Sequence, residues 1–124
     1  MNAPLARLQF DTENEDVVVA RVIGEIESTN ADELLEAVGR RLRNDSAGLV
    51  LDLSATSYLD SAAIELLFDL VRRLRAHRQR MRLVVPTDAP LRRVLTLCGI
   101  DAVAEIDETV DVAFRGIRGR LGGG

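Results

Sequence analysis

Leu5 to Phe10 alternates apolar and polar residues, the period-two pattern of a half-buried strand, and Asp11 to Asp16 forms a polar turn after it. Val17-Val18-Val19-Ala20-Arg21-Val22-Ile23 is a nearly continuous β-branched run that predicts an inner strand, with Gly24 ending it. Leu34, Leu35, Val38 and Leu42 then recur at helical spacing, predicting a helix over about Ala31 to Arg43, capped by Thr29 or Asn30. Asn44 to Gly48 breaks that helix, and Leu49 to Leu53 predicts a second buried strand. A loop from Ser54 to Leu59 leads to a helix starting at Asp60-Ser61 and running to about His77 or Arg78. Its stripe of Ile64, Leu67, Val71 and Leu74 steps by three and four, widened by Leu66 and Leu70. Arg82 to Val85 predicts a short strand closed by Pro86. A third helix starts near Ala89, with Pro90 in the tolerated first turn, and stops at Gly99. Ala102 to Ile106 predicts a last strand and Thr109 to about Ile117 a last helix, while Arg118 to Gly124 is expected to fray.

The order ββαβαβαβα implies an α/β fold, a mixed, mostly parallel sheet with interleaved helices. Alternation alone leaves open whether the helices cover one face or both. At 124 residues, with no repeat or linker, the chain is one domain over 1–124, with an ordered core expected at about 4–117.

Composition removes several mechanisms. Aromatics make up 3% of the chain and Trp is absent, so the core is aliphatic and stacking platforms for nucleic acid are not expected. The net charge of −4 points the same way. All 16 basic residues are Arg; without Lys, no phosphate-loop lysine, Schiff base or lysine general base exists. The single cysteine, Cys98, excludes an intramolecular disulfide and a Cys-cluster zinc site. No apolar run approaches the roughly 20 residues of a spanning helix, and Met1-Asn2-Ala3-Pro4 lacks a signal-peptide pattern. Cytoplasmic residence without membrane insertion is the expectation, as is the absence of metal and cofactor.

The informative stretch is LVLDLSATSYLDSAAIELLF, Leu49 to Phe68. A buried strand delivers Asp60-Ser61 to the start of an amphipathic helix. There the first N–H groups have no intrahelical partner and the macrodipole is positive. An Asp60 or Ser61 oxygen suits those donors, and so would a phosphate on Ser61. On spacing alone, a plain helix cap is the stronger reading, because Asp and Ser are preferred caps.

The motifs extend that reading. Gly24-Glu25-Ile26-Glu27 is similar to the Gly-Glu-Leu-Asp that ends an early strand in STAS domains of the anti-sigma factor antagonist type. Leu59-Asp60-Ser61-Ala62-Ala63-Ile64 resembles their Met-Asp-Ser-Ser/Thr-Gly-Leu, and Cys98-Gly99-Ile100 echoes a Ser-Gly-Leu. The resemblance spans nearly the whole chain. It departs at Glu27 (Asp in the family), Ala62 (Ser or Thr) and Ala63 (Gly). It implies a non-enzymatic switch in which Ser61 is phosphorylated by a partner, an anti-sigma factor that is itself a serine kinase. Unphosphorylated antagonist binds that kinase and frees a sigma factor, and a serine phosphatase resets the cycle. The docking surface it implies comprises Glu27, Ser57, Asp60, Ser61, Ala62 and Ile64. A second STAS role, a constitutive subunit of an ABC lipid-transport or other signalling assembly, leaves Ser61 as a cap only.

Leu51-Asp52-Leu53 mimics the phospho-accepting aspartate of a receiver domain. That chemistry needs an acidic pair for Mg²⁺ and a lysine, whereas Asp11 and Asp16 are poorly placed and lysine is absent. His77 reads as a helix-end residue and Cys98 as a small buried hydrophobe. Arg72 to Arg82, RRLRAHRQRMR, reads as a solvated face with Asp69 and Arg73 paired at i,i+4.

Overall fold

Strand and helix segments alternate in the computed structural model, which describes residues 5–11 and 16–122. The strands are β1 (Ala6–Asp11), β2 (Val17–Ile26), β3 (Gly48–Asp52), β4 (Thr56–Leu59), β5 (Arg80–Val84) and β6 (Glu105–Asp107). The helices are α1 (Ala31–Arg41), α2 (Ser61–Ala76), α3 (Pro90–Leu97) and α4 (Val110–Gly122), with a 3-10 turn at Ile100–Ala102. The sheet order is β1-β2-β3-β5-β6, with β1 antiparallel to β2 and the other pairs parallel. β3 covers the first half of β2, from Val17 to Arg21, and β4 covers the end, from Gly24 to Ile26. The chain thus adopts the mixed, mostly parallel α/β architecture its patterning implies.

Alternation along the strands divides the core. Ala20, Val22, Leu49, Leu51, Leu53, Met81 and Leu83 face α1, α2 and α3, where they pack with Leu35, Leu67, Leu74 and Leu95. Val17, Val19, Val50 and Val84 face the other way and are covered by Ala113 and Ile117 of α4. Helices therefore cover both faces, three against one. The wider stripe of α2, five buried residues from Ala63 to Leu74, places it over the middle of the larger core.

Several boundaries differ from the sequence expectation, each for a local reason. β2 does not stop at Gly24. The glycine takes φ +118°, and the strand continues through a register shift to Ile26. A side chain at this position would collide with the Leu5 carbonyl oxygen, so only glycine serves here. The segment Ser54 to Leu59 is not wholly loop, since Thr56–Leu59 re-enters the sheet as β4. β5 starts at Arg80 rather than Arg82, and the last strand is Glu105–Asp107 rather than Ala102 to Ile106, because Ile100 to Ala102 coils into the 3-10 turn. α4 extends past Ile117 to Gly122. The Asp11 to Asp16 turn is described only at its two ends, and residues 1–4 and 123–124 lie outside the described residues.

Arg82 also departs from the solvated-face reading of its run. Its guanidinium donates to both oxygens of Asp107, at 2.8 and 3.0 Å, and lies 2.6 Å from Glu105. Hydrogen bonding to Asp107 raises its pKa still further above the ordinary arginine range. Gly116 of α4 makes room for it, because a β-carbon there would collide with the guanidinium. Asp69 pairs with Arg72, one turn position earlier than the expected Arg73. Cys98 is exposed, not buried.

At the C-terminal ends of β5 and β6, Glu108 accepts from the Thr87 amide and hydroxyl, both at 2.7 Å, with Arg92 3.8 Å away. The Thr87 hydrogen bonds, then the Arg92 charge, hold the Glu108 carboxyl below its ordinary pKa of 4.5. A depressed pKa stabilises the fold above the unfolded-state value, and that contribution is lost as pH falls through the folded-state value. Glu108→Gln is therefore expected to lower the melting temperature most above about pH 5, the difference shrinking toward about pH 3. Melting curves across this range check it; a pH-independent difference contradicts it.

Candidate functional site

The two sequence motifs meet at the C-terminal end of the parallel strands. β2 and β4 end side by side there, at Ile26 and Leu59, and each is followed closely by a helix, α1 or α2. Asp60 fastens the two connections together. Its Oδ1 accepts from the Ala63 amide at 2.9 Å, capping α2, while Oδ2 accepts from the Ser28 amide at 2.8 Å. Its own amide donates to the Ile26 carbonyl at 3.2 Å. A capping side chain of this kind stabilises by about 1 kcal/mol. Here the same carboxylate also joins segments 32 residues apart in sequence.

The Glu27 side of the site is held by Asn30. This residue stands at the N-cap of α1, yet its side chain makes no capping bond. Its Oδ1 instead accepts from the Glu27 amide at 2.8 Å, and its Nδ2 donates to the Glu25 carbonyl at 2.9 Å. Glu27 is half-buried and its Oε1 accepts from the Thr29 hydroxyl at 3.2 Å. On β4, the Thr56 hydroxyl is buried and donates to the Val22 carbonyl at 2.8 Å, anchoring the strand, while Ser57 and Tyr58 face solvent.

The structure brings together Glu27, Ser57, Asp60 and Ser61 on this end, with Ser61 exposed at the first position of α2. Ala62 is half-buried beside it. Ile64 is partly buried and packs on the larger core, so its edge rather than its whole side chain faces the surface. Ala63 is fully buried, which places its methyl group in the core and away from the surface around Ser61. Two contributors were not legible from the sequence. Asn30 positions the Glu25–Glu27 backbone, and Tyr58, 47% exposed, is an aromatic ring two residues before Asp60. The only tyrosine in a chain of four aromatics was the available signal for the latter.

Carboxylates crowd this end. Glu25, Glu27 and Asp60 lie on or beside the strand ends, Asp32 and Glu33 occupy the first turn of α1, and Glu65 follows on α2. The amides of Ser61 and Ala62 precede the intrahelical ladder and point outward from α2, offering donors to an anion. Asp52, the residue that mimics a receiver aspartate, is 6% exposed and accepts from the Ser54 amide at 2.9 Å. Its carboxylate is thus committed to a local turn. No helix among the described residues is long and apolar enough to cross a membrane.

The fold that carries this site recurs in known proteins. The anti-sigma-F factor antagonist RsfB of Mycobacterium tuberculosis is 29% identical over 120 residues, covering 96% of either chain. The crystal structure of an anti-sigma factor antagonist from Mycobacterium paratuberculosis superposes with a TM-score of 0.79 at 28% identity, covering 95% of this chain and 99% of that one. The antagonist SpoIIAA in its unphosphorylated form shares the fold at a TM-score of 0.74 and 20% identity, over 91% of this chain and 97% of its own. The match to the STAS domain family runs over residues 11–113, from β1 into α4 and through both sides of the Asp60 junction, and the chain belongs to that family.

Proposed function

We propose that this protein is an anti-sigma factor antagonist, a phosphorylation-controlled switch that docks on an anti-sigma factor serine kinase and releases a sigma factor. The observation that carries the reading is the Asp60 carboxylate. It caps α2 and holds the Ser28 amide at once, so the Glu27 segment and the exposed Ser61 hydroxyl form one rigid surface. The docking footprint comprises Glu27, Ser57, Asp60, Ser61, Ala62 and Ile64. Ser61 is the phosphate acceptor and a serine phosphatase reverses the modification. Catalysis belongs to the partner, so the chain itself needs only a presented hydroxyl. The relatives named as antagonists at 28–29% identity support this reading along nearly the full length. The buried methyl of Ala63 supports it too, since the loss of the family glycine adds no bulk to the presented surface.

Charge reversal tests the footprint. Glu27→Arg is expected to weaken binding to the cognate anti-sigma factor at least tenfold, about 1.4 kcal/mol. Its effect on folding is expected to be small, about 0.5–1 kcal/mol, because the side chain is only half-buried and loses one partly exposed hydrogen bond. Arg72→Ala, on the opposite half of α2, leaves binding unchanged. Titration calorimetry with the purified partner reads both. Binding that survives Glu27→Arg and falls with Arg72→Ala places the footprint elsewhere.

A further inference from the structure

We infer that the protein pairs with a second copy of itself along the free edge of β1, antiparallel and centred on Gln9. The two edges of the sheet differ. β6 closes one with three residues, too short to template another strand. β1 closes the other with six residues in unbroken register against β2, without proline, glycine or bulge, and among the described residues no strand lies beyond it. The ladder fixes which backbone groups that edge presents. The Glu25 amide donates to the Leu5 carbonyl at 3.0 Å, whereas the Gly24 amide turns the other way, to the Ala55 carbonyl at 3.0 Å. Leu5 and, by alternation, Arg7, Gln9 and Asp11 therefore exchange bonds with β2. Ala6, Leu8 and Phe10 direct their amides and carbonyls away from β2, along the open edge.

The side chains make this edge complementary to itself, which commits it to a second copy. In the register centred on Gln9, Leu8 faces Phe10 of the second copy and Phe10 faces its Leu8. These are the outward-directed residues, so each pair exchanges both backbone hydrogen bonds. Arg7 and Asp11 fall opposite Asp11 and Arg7 of the second copy, in the closer, non-hydrogen-bonded pairs where opposite charges favour the pairing. Both are exposed, and among the described residues Arg7 has no carboxylate partner. The neighbouring registers, centred on Leu8 or on Phe10, set Gln9 opposite Arg7 or Asp11 and lose that match. On the other face, Leu8 and Phe10 are half-buried against the larger core, with the Arg41 guanidinium 4.2 Å above the Phe10 ring. Pairing therefore covers apolar side chains that the monomer already holds in place. β2 separates β1 from β3 and β4, so the second copy adds on the side of the sheet away from Asp60 and Ser61. The pairing is thus independent of the proposed switch.

Sedimentation equilibrium of the full chain at low salt is expected to show a reversible monomer–dimer equilibrium that weakens with added salt. Arg7→Asp and Asp11→Arg each set like charges opposite one another and are expected to weaken the dimer about tenfold. Mixed together, the two variants restore every charge pair, so their equimolar mixture is expected to dimerise within about threefold of wild type. Both positions are exposed, and the melting temperatures of the dilute variants are expected to stay within about 4 °C of wild type. Hydrogen exchange locates the contact. The Leu8 and Phe10 amides become protected as concentration rises, while those of Arg7 and Gln9 are protected throughout. A chain that stays monomeric, a dimer indifferent to either reversal, a mixture no tighter than the variants alone, or Leu8 and Phe10 amides that exchange equally at every concentration overturns the inference.

Discussion

Leu51→Asp is expected to abolish the fold. Leu51 is fully buried in the middle of β3, between β2 and β5, and packs in the larger core under α1 and α2. Removing its side chain forfeits about 2–3 kcal/mol of apolar burial. The carboxylate that replaces it stands among the aliphatic side chains of that core and costs several kcal/mol more. A domain of this size has about 5–15 kcal/mol in total, so the variant is expected to be largely unfolded at ambient temperature. Leu51→Met, which keeps volume and polarity, is expected to cost under about 1.5 kcal/mol. Thermal melts and amide dispersion distinguish these outcomes. A well-dispersed, cooperatively melting Leu51→Asp protein contradicts the assignment of β3 as a central strand.

The elements that patterning predicted well are those whose burial follows one period. β3 is buried on both faces and reads as an unbroken apolar run, and α2 carries a continuous stripe of apolar residues. β4 escaped because Thr-Ser-Tyr-Leu shows no alternation; its two inner residues are exposed and its two ends buried. Gly24 read as a stop because glycine usually punctuates, whereas here it permits a bulge that carries β2 on to β4. The Asp60 cap was legible from local sequence. Its second bond, to the Ser28 amide, depends on the juxtaposition of two strand ends and has no local signature. Arg82 shows the same limit, since it ends a run whose other arginines are exposed or half-buried, and only Asp107, Glu105 and the gap at Gly116 explain its burial.

Phosphorylation of Ser61 is expected to cut affinity for the kinase partner by about 10- to 100-fold, or 1.4–2.8 kcal/mol. A partner that phosphorylates this hydroxyl must bring nucleotide phosphates against it, and the product phosphate then meets like charge in the same space. The fold is expected to change little. The amides and dipole at the start of α2 favour the new anion by about 0.3–1 kcal/mol, while neighbouring Asp60 and Glu65, one turn on, oppose it by a similar amount. A single phosphate is expected despite Ser28, Ser46, Ser54 and Ser57. Ser46 is buried and accepts from the Arg43 amide, and Ser57 donates toward the Gly24 carbonyl from β4 rather than standing at a helix start. Ser61→Asp, with less charge and fewer acceptor oxygens than phosphate, is expected to weaken binding about three- to tenfold, and Ser61→Ala to leave it within about twofold. Mass spectrometry of protein from its native host locates the phosphate, and calorimetry with the anti-sigma factor compares the two variants. An unmodified Ser61, with equal affinities for wild type, Ser61→Asp and Ser61→Ala, reduces the serine to the first residue of a helix that Asp60 caps, and leaves the chain as a constitutive STAS subunit.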